Sequence, residues 1–273
     1  MTLLPGNRPA SRFLLFKFLN LLIIILSLSI VSSSFGEPVK PICKADFSAR
    51  QTNLKSHKKS ITICVDPGHP SDVNSGFTVQ NGTTETHIDW VVAKKLEILL
   101  MGKGFRVVLT KNSEKKLVKN RARAEIANRV HAELLVRLHC DTGQGSGYAI
   151  YYPDRTGTIG KVTGPNQAVR DASHECATTI SQEMEIILKG DLKSNGIAGD
   201  SKTFVGRKQG ALTGSVFSKV PVVTIEMATL SQSDDAEFIK TEAGQDKIAT
   251  AIAAGIERIF REKEQLQQGD KSK

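Results

Sequence analysis

From residue 61 onwards, apolar residues recur with two different spacings, and these spacings predict strands that alternate with helices. Short runs rich in β-branched residues, bounded by polar or glycine-containing stretches, are typical of strands. Runs in which apolar residues recur every three or four positions are typical of helices. The pattern predicts strands at residues 61–65, 105–109, 134–138, 147–152 and 220–225, and helices at residues 85–101, 118–131, 166–189 and 235–262.

The first predicted helix has recognisable ends. Thr84 stands where a side-chain oxygen can cap the amino terminus. Gly102 and Gly104 follow the last apolar position, where glycine commonly ends a helix. Residues 203–217, by contrast, form a mixed, glycine-containing stretch that shows neither period.

Strands that alternate with helices are typical of an α/β protein. We therefore expect a single domain, built on a mostly parallel, twisted sheet with helices covering both faces. In such sheets, ligands bind beyond the carboxyl ends of the strands. Polar residues that directly follow a predicted strand are accordingly the candidates for chemistry.

The amino-terminal segment has the composition of an export signal. Arg8, Arg12 and Lys17 precede an apolar run at residues 18–31, and small residues follow at 32–36. The alternative is an uncleaved membrane anchor, because the charge-free run to Gly36 approaches the ~20 residues that span a bilayer. Both interpretations place the remainder outside the cytoplasm. That remainder divides into a linker (37–60), a folded domain (61–262) and a charged tail (263–273).

The chain is basic, with a formal net charge of +9. This charge favours either simple solubility or attraction to polyanions, and for an exported protein these are cell-wall polymers and anionic lipid. Aromatic residues make up only 5% of the chain, and no basic-aromatic stacking platform is visible. We therefore expect no nucleic-acid partner.

The four cysteines are Cys43, Cys64, Cys140 and Cys176, and their spacing matches no metal-binding motif. An even number of cysteines in an exported chain permits disulfides, but the sequence assigns no pairing. Cys64 lies in an apolar strand, where cysteine commonly serves as a small buried apolar residue.

Four polar residues lie at the predicted carboxyl edge of the sheet. His69, His139 and Glu226 follow three predicted strands, and Glu85 opens the helix after the first of these. A catalytic zinc site needs three protein ligands, an open position for water and a carboxylate that takes a proton from that water. Each residue has an ordinary structural explanation too: a turn, a helix terminus or a buried histidine. Only their coincidence at one edge predicts a metal site.

These residues lie in motifs that resemble the zinc-dependent N-acetylmuramoyl-L-alanine amidases. Residues 65–69 match a strand that ends in Asp-Pro-Gly-His-Gly, and Glu85 matches a glutamate that opens the next helix. Residues 123–128 match Arg-x-x-x-Ala-Asn, and residues 136–141 match Ser-x-His-x-Asn. Residues 225–232 loosely match Val-Glu-x-Gly-Phe-x-x-Asn. The resemblance runs in order from about residue 61 to residue 260.

The chain departs from the family pattern at five positions. None of them removes a candidate metal ligand, and they bear on substrate details and rate. The departures are Pro70, Arg137, Asp141, Ala228 and Gln232.

The resemblance implies that His69, Glu85 and His139 bind Zn²⁺ and that Glu226 acts as general base and proton shuttle. The bond cut would be the amide between N-acetylmuramic acid and L-alanine in peptidoglycan. Asp66 would orient His69, because metal-bound histidines are commonly held by a second partner. His87 is a rival ligand, which we rank lower because it should point away on its helix.

Three alternatives keep the fold and change the function. A zinc peptidase could act on another exported peptide, and a non-catalytic relative could bind peptidoglycan without cutting it. A generic exported binding protein would need no zinc. The sequence identifies no activator protein, and a membrane partner is expected only if the amino-terminal segment stays uncleaved.

Overall fold

A computed structural model of the chain describes residues 60–270, with side chains described to Leu266. The export signal or anchor, the linker up to residue 59 and Cys43 lie outside these residues. Among the described residues, no helix is both long and apolar enough to cross a bilayer. Residues 60–270 contain equal numbers of acidic and basic side chains. The excess positive charge of the chain therefore belongs to the flanking segments.

The described residues form ten strands, seven α-helices and a 3₁₀ turn at Asp200–Lys202. In chain order these are β1 (Thr62–Pro67), β2 (Val79–Gln80), β3 (Thr83–Thr84), α1 (Glu85–Gly102), β4 (Arg106–Leu109), α2 (Asn120–Arg129), β5 (Leu134–Asp141), β6 (Tyr148–Tyr152), β7 (Gly157–Ile159), β8 (Val162–Gly164), α3 (Gln167–Ile187), β9 (Ser194–Gly199), α4 (Phe204–Gln209), α5 (Thr213–Val216), β10 (Val222–Thr229), α6 (Ser233–Lys240) and α7 (Glu242–Asp270).

Six strands form one sheet in the order β4-β1-β5-β10-β6-β9. The first four are mutually parallel, whereas β6 runs antiparallel to β10 and β9 runs parallel to β6. The α/β class and the mostly parallel sheet are thus confirmed. The three strands that precede the candidate site residues, β1, β5 and β10, are direct neighbours.

Helices cover both faces of this sheet, as predicted. Alternate residues of β1 point to opposite faces, so Ile63 and Val65 join the large core beneath α1, α3 and α7. Cys64, between them, joins a smaller core with Leu135 of β5 on the side of α2. The same alternation decides which side chains at the strand ends can meet.

Three features differ from the sequence prediction. The hairpins β2–β3 and β7–β8 and the strand β9 were not predicted, because they are short or glycine-containing and lack a run of alternating apolar residues. The predicted helix at 235–262 is two helices. Thr241 between them has extended backbone, and its hydroxyl accepts a hydrogen bond from the Gly244 N–H, which caps α7. Helix α7 then continues beyond residue 262 to Asp270.

Candidate metal centre

The carboxyl ends of three neighbouring strands carry the candidate residues to one place. Glu226 of β10 is the register partner of His139 of β5, so these two side chains lie side by side on the α2 face of the sheet. His69 follows β1, which is the other neighbour of β5. Glu85 is the first residue of α1, and the Thr84 hydroxyl caps that helix, as predicted.

His69, Glu85 and His139 converge on a single point. Glu85 Oε1 lies 3.2 Å from His69 Nε2 and 3.1 Å from His139 Nδ1. Candidate ligand atoms from the three residues all lie within 4.8 Å of one another. Two imidazoles and a carboxylate at this spacing are a donor set that suits Zn²⁺.

The contacts around the cluster hold its members in place. His69 Nδ1 lies 3.0 Å from the carbonyl oxygen of Asn74 and donates to it, which orients the imidazole ring. Glu85 Oε1 also accepts a hydrogen bond of 3.2 Å from the Cys140 N–H. The Nε2 atom of His139 is buried and has no hydrogen-bond partner among the described residues. A buried polar atom without a partner fits a site built for a further group.

Two glycines pack directly against the histidine side chains. A Cβ atom on Gly68 would lie 2.2 Å from His139 Cε1, far closer than van der Waals contact with the imidazole ring allows. A Cβ atom on Gly76 would lie 2.5 Å from His69 Cβ, and Gly76 has a φ of +67°, which favours glycine. The positions of both rings therefore depend on the absence of a side chain at residues 68 and 76.

The protonation states of the cluster suit a cation. Burial alone would raise the pKa of Glu85, but hydrogen bonds from His139 and His69 and the charges of these residues hold it at about 2. Burial lowers the pKa of His139 to about 4, despite the Glu85 carboxylate beside it. At neutral pH the glutamate is ionised and His139 is neutral, which are the states in which these groups bind metals.

Among the described residues, one carboxyl oxygen of Glu226 has no hydrogen-bond partner. Its Oε2 atom is buried and accepts no hydrogen bond from the described residues. Burial, followed by the charges of Glu85 and Asp141, raises the pKa of Glu226 well above its ordinary value. Such a group is costly to bury, and its position beside the cluster makes it available to a substrate or a water molecule.

Comparison with known proteins shows the family of the chain. A sequence model of a family described as N-acetylmuramoyl-L-alanine amidase matches residues 63–258, which is most of the chain. The chain belongs to the N-acetylmuramoyl-L-alanine amidase family. Residues 60–270 are accordingly a peptidoglycan amidase catalytic domain. A search of curated proteins found no match.

Solved structures show the same fold. The amidase domain superposes on the N-acetylmuramoyl-L-alanine amidase AmiC2 of Nostoc punctiforme with a TM-score of 0.58 at 22% identity, covering 74% of this chain and 97% of that one. For Ami1 of Mycobacterium smegmatis the TM-score is 0.60 at 20% identity, with coverage of 72% and 94%. The CwlD amidase of Clostridioides difficile was solved in complex with the GerS lipoprotein. The TM-score with this structure is 0.58 at 21% identity, covering 74% of this chain and 99% of that one.

The expectation that Asp66 orients His69 is wrong. In the amidase domain Asp66 is fully buried, and its carboxylate accepts hydrogen bonds from Arg123 Nη1 at 2.5 Å, from Arg137 Nε at 2.9 Å and from the Thr110 hydroxyl. The Asn74 carbonyl takes the role that we expected of Asp66. The presence of Arg137 inside an otherwise apolar strand is a sequence signal for this ion pair, since arginine is rarely buried without a partner.

Arg123 ties the loop that carries His69 to helix α2. Its guanidinium donates to Asp66 and also to the carbonyl oxygens of Pro67 at 2.5 Å and Pro70 at 2.7 Å, while Nε donates to Val118 at 2.9 Å. This arrangement explains the arginine of the Arg-x-x-x-Ala-Asn motif in the amidase domain. The asparagine of the motif, Asn128, bonds the Phe217 carbonyl and the Lys219 N–H on the approach to β10.

The remaining candidates do not join the cluster. His87 is half exposed, and its Nδ1 lies 3.4 Å from the Glu114 carboxylate, so its lower rank as a ligand agrees with the structure. Cys64, Cys140 and Cys176 are buried free thiols in the amidase domain. Burial raises the pKa of each thiol, which keeps these cysteines in the unreactive neutral form.

The buried ion pairs of Asp66 should make stability depend on pH. Burial opposes ionisation, but Arg123 and Arg137 hold the pKa of Asp66 well below its ordinary value. A depressed pKa contributes stability that is complete above the unfolded-state pKa of about 3.9 and is lost as the pH falls below it. We expect the free-energy difference between the wild type and Asp66→Asn to shrink by about 1.4 kcal/mol per pH unit below pH 4. Urea unfolding from pH 7 to pH 2 measures it, and a constant difference would contradict the depressed pKa.

Proposed function

We propose that the chain is an exported zinc hydrolase that cuts the amide bond between N-acetylmuramic acid and L-alanine in peptidoglycan. His69, Glu85 and His139 hold the metal, and Glu226 is the general base. The observation that supports this most strongly is the convergence of three donor atoms within 4.8 Å of one another. Glu226 is the register partner of His139, and its Oε2 atom has no hydrogen-bond partner among the described residues. The family assignment supports the choice of substrate.

The residues divide the reaction between them. When bound, Zn²⁺ supplies a Lewis acid for the attacking water and for the carbonyl oxygen of the scissile amide. Glu226 accepts a proton from the attacking water as the oxygen of that water bonds to the carbonyl carbon of the lactyl group. Glu226 then donates the proton to the L-alanine nitrogen as the C–N bond breaks. The products are a free carboxyl group on the sugar and a stem peptide with a free amino terminus.

Export is part of the proposal. Peptidoglycan lies outside the cytoplasm, and the charged, apolar and small-residue segments at residues 1–36 are those of an export signal. A membrane anchor would place the same catalytic domain on the same side of the membrane.

A digestion assay tests the function against its alternatives. The full chain is purified, its metal content is measured by mass spectrometry, and purified peptidoglycan is digested with it. We expect about one zinc per chain and released stem peptides that begin with L-alanine. Shortened stems that stay on the glycan would identify a peptidase. Peptidoglycan that is bound but uncut would identify a wall-binding protein.

Gly68→Ala should weaken metal binding without altering a ligand. The new Cβ would overlap the His139 ring, so the ring must move away from Glu85. We expect zinc affinity to fall by about one to two orders of magnitude, as for the loss of groups that orient a metal ligand. Competition with a chromophoric chelator measures this. Gly102→Ala is the control, because a Cβ atom there meets nothing within 4 Å, and equal affinities of the two variants would refute the packing argument.

A further inference from the structure

A second concave surface lies along α2, separate from the metal centre. The groove has a volume of about 770 Å³ and lies between α2, the segment at residues 162–166 and the segment at residues 216–220. None of the four proposed site residues lines it. Its charged lining residues are Arg121, Glu125, Arg129 and Lys219.

The charged residues that line this groove have a net positive charge, whereas residues 60–270 as a whole have equal numbers of acidic and basic side chains. Glu125 is the only acid among the described residues that line it, and the Nε atom of Arg121 donates to Glu125 at 2.7 Å. Arg129 and Lys219 are exposed, and their side chains contact no acid within the part of the chain that the structure describes. Two cationic side chains are therefore left without a counter-charge.

Arg121 is held in a position that leaves its binding atoms free. Its Nε donates to Glu125, and its guanidinium lies 5.0 Å from the centre of the Phe217 ring. These two contacts fix the plane of the guanidinium while its terminal nitrogens remain available. A fixed guanidinium with two free amino groups suits bidentate binding of an oxyanion.

Most of the neutral polar side chains that line the groove already have partners. Asn128 bonds backbone atoms of residues 217 and 219, Asn166 caps α3, and the Ser218 hydroxyl donates to the Val220 carbonyl. The Thr163 hydroxyl bonds that of Thr158. Among the described residues, His131 is the one neutral polar side chain of the lining that has no such partner. The groove thus offers mainly cations, and few of the neutral donors that would recognise sugar hydroxyls or a peptide backbone.

The cations are spread over a distance that one small anion does not cover. Arg121 and Arg129 are eight residues apart on α2, which corresponds to about 12 Å along the helix. A linear ligand with repeated negative charges can contact both, with Lys219 on the opposite wall. The Phe217 ring already has the Arg121 guanidinium over it, so it is not a free platform for stacking a nucleic-acid base.

We propose that this groove binds a linear polymer of phosphate groups, such as a phosphodiester chain, independently of the catalytic site. The polymer would lie along α2, with its phosphates paired to Arg121, Arg129 and Lys219. Such a contact would hold the enzyme near an anionic polymer while the metal centre, on another surface, stays free for substrate.

Binding of inorganic polyphosphate to the full chain tests the proposal. The groove variant combines Arg121→Ala, Arg129→Ala and Lys219→Ala. The control variant combines Arg106→Ala, Lys115→Ala and Lys189→Ala, which removes the same charge from exposed positions outside the groove. The basic residues upstream of residue 60 contribute equally to both variants.

We expect the groove variant to bind polyphosphate at least about tenfold more weakly at low salt. The salt dependence should also be shallower, by on the order of 0.7 in log–log slope for each lost contact. The control variant should lose less than about threefold. Equal losses in the two variants would mean that only net charge matters and would overturn the proposal.

Three further measurements separate the outcomes. Poly-L-glutamate of matched length, a linear polyanion that carries carboxylates in place of phosphates, is tested in the same assay, and tighter binding of it would overturn the assignment to phosphate polymers. Circular dichroism confirms that both variants are folded. Digestion of peptidoglycan stripped of anionic polymers should proceed at the wild-type rate in the groove variant. If the wild type fails to digest this substrate, the proposed amidase function is contradicted, whereas the proposal for the groove is not affected.

Discussion

Glu226→Gln should abolish peptidoglycan hydrolysis while leaving the metal in place. Glutamine matches glutamate in size but cannot accept the proton of the attacking water. Removal of a positioned general base lowers rates by about two to four orders of magnitude, so we expect a fall of about a thousandfold in kcat. The candidate metal ligands are unchanged, and the zinc content should stay at about one per chain.

The structure also predicts how this variant folds. Glu226 is a desolvated carboxyl group near the charges of Glu85 and Asp141, and those charges oppose its ionisation. An uncharged glutamine removes that repulsion, so the metal-free variant should be at least as stable as the wild type. Loss of activity with retained or increased stability is what a functional carboxylate predicts.

Product release, metal content and urea unfolding are measured together for this test. Glu237→Gln, at an exposed position on α6, is the matched control and should keep wild-type activity. Glu226→Gln with more than about a tenth of wild-type activity would exclude Glu226 as the general base. Loss of zinc from the same variant would instead identify Glu226 as a metal ligand.

Arg123→Ala should have the largest effect on stability of the substitutions considered. Arg123 is fully buried and donates to Asp66 and to the carbonyl oxygens of Pro67, Pro70 and Val118. Its removal takes one donor from each of those acceptors and leaves Asp66 with Arg137 as its remaining charged partner. Breaking a buried ion pair from one side costs about 3–5 kcal/mol of the free energy of unfolding.

The loss of Arg123 should also weaken zinc binding at the candidate metal centre. The loop that Arg123 holds carries His69, so zinc affinity should fall in the fraction of the protein that remains folded. Urea unfolding measures the first effect, and chelator competition measures the second. Arg121→Ala, two residues away on the same helix, removes an exposed ion pair with Glu125 and should change stability little. Equal destabilisation by both substitutions would refute the role of the buried network.

The fold and the candidate metal centre were predictable because they follow from local periodicity. Each of the strands β1, β5 and β10 carries its own apolar run, and after each run comes a polar residue that the run does not explain. Parallel strands place their carboxyl ends at one edge, so His69, His139 and Glu226 could be expected there together. Glu85 opens the helix after the first strand and so could be expected at the same edge, although an acid in the first turn of a helix also has an ordinary structural explanation.

Contacts between residues far apart in sequence were not predictable in the same way. The partners of Asp66 lie 57 and 71 residues away, at Arg123 and Arg137. Nothing in the periodicity around Asp66 distinguishes a carboxylate that faces these arginines from one that faces His69. The break at Thr241 similarly escaped the pattern, because apolar residues continue with helical spacing on both sides of it.

The sequence alone was thus sufficient to predict the order of the main strands and helices, the class of the fold and four candidate site residues. The reason is that a strand or helix with a buried face carries apolar residues at a regular spacing. Tertiary structure alone decided which groups surround those residues. Asn74, rather than Asp66, orients His69, and Gly68 makes room for the His139 ring. These contacts form only when segments that are distant in sequence pack together across the sheet. The residues next to each position in the sequence therefore do not predict them.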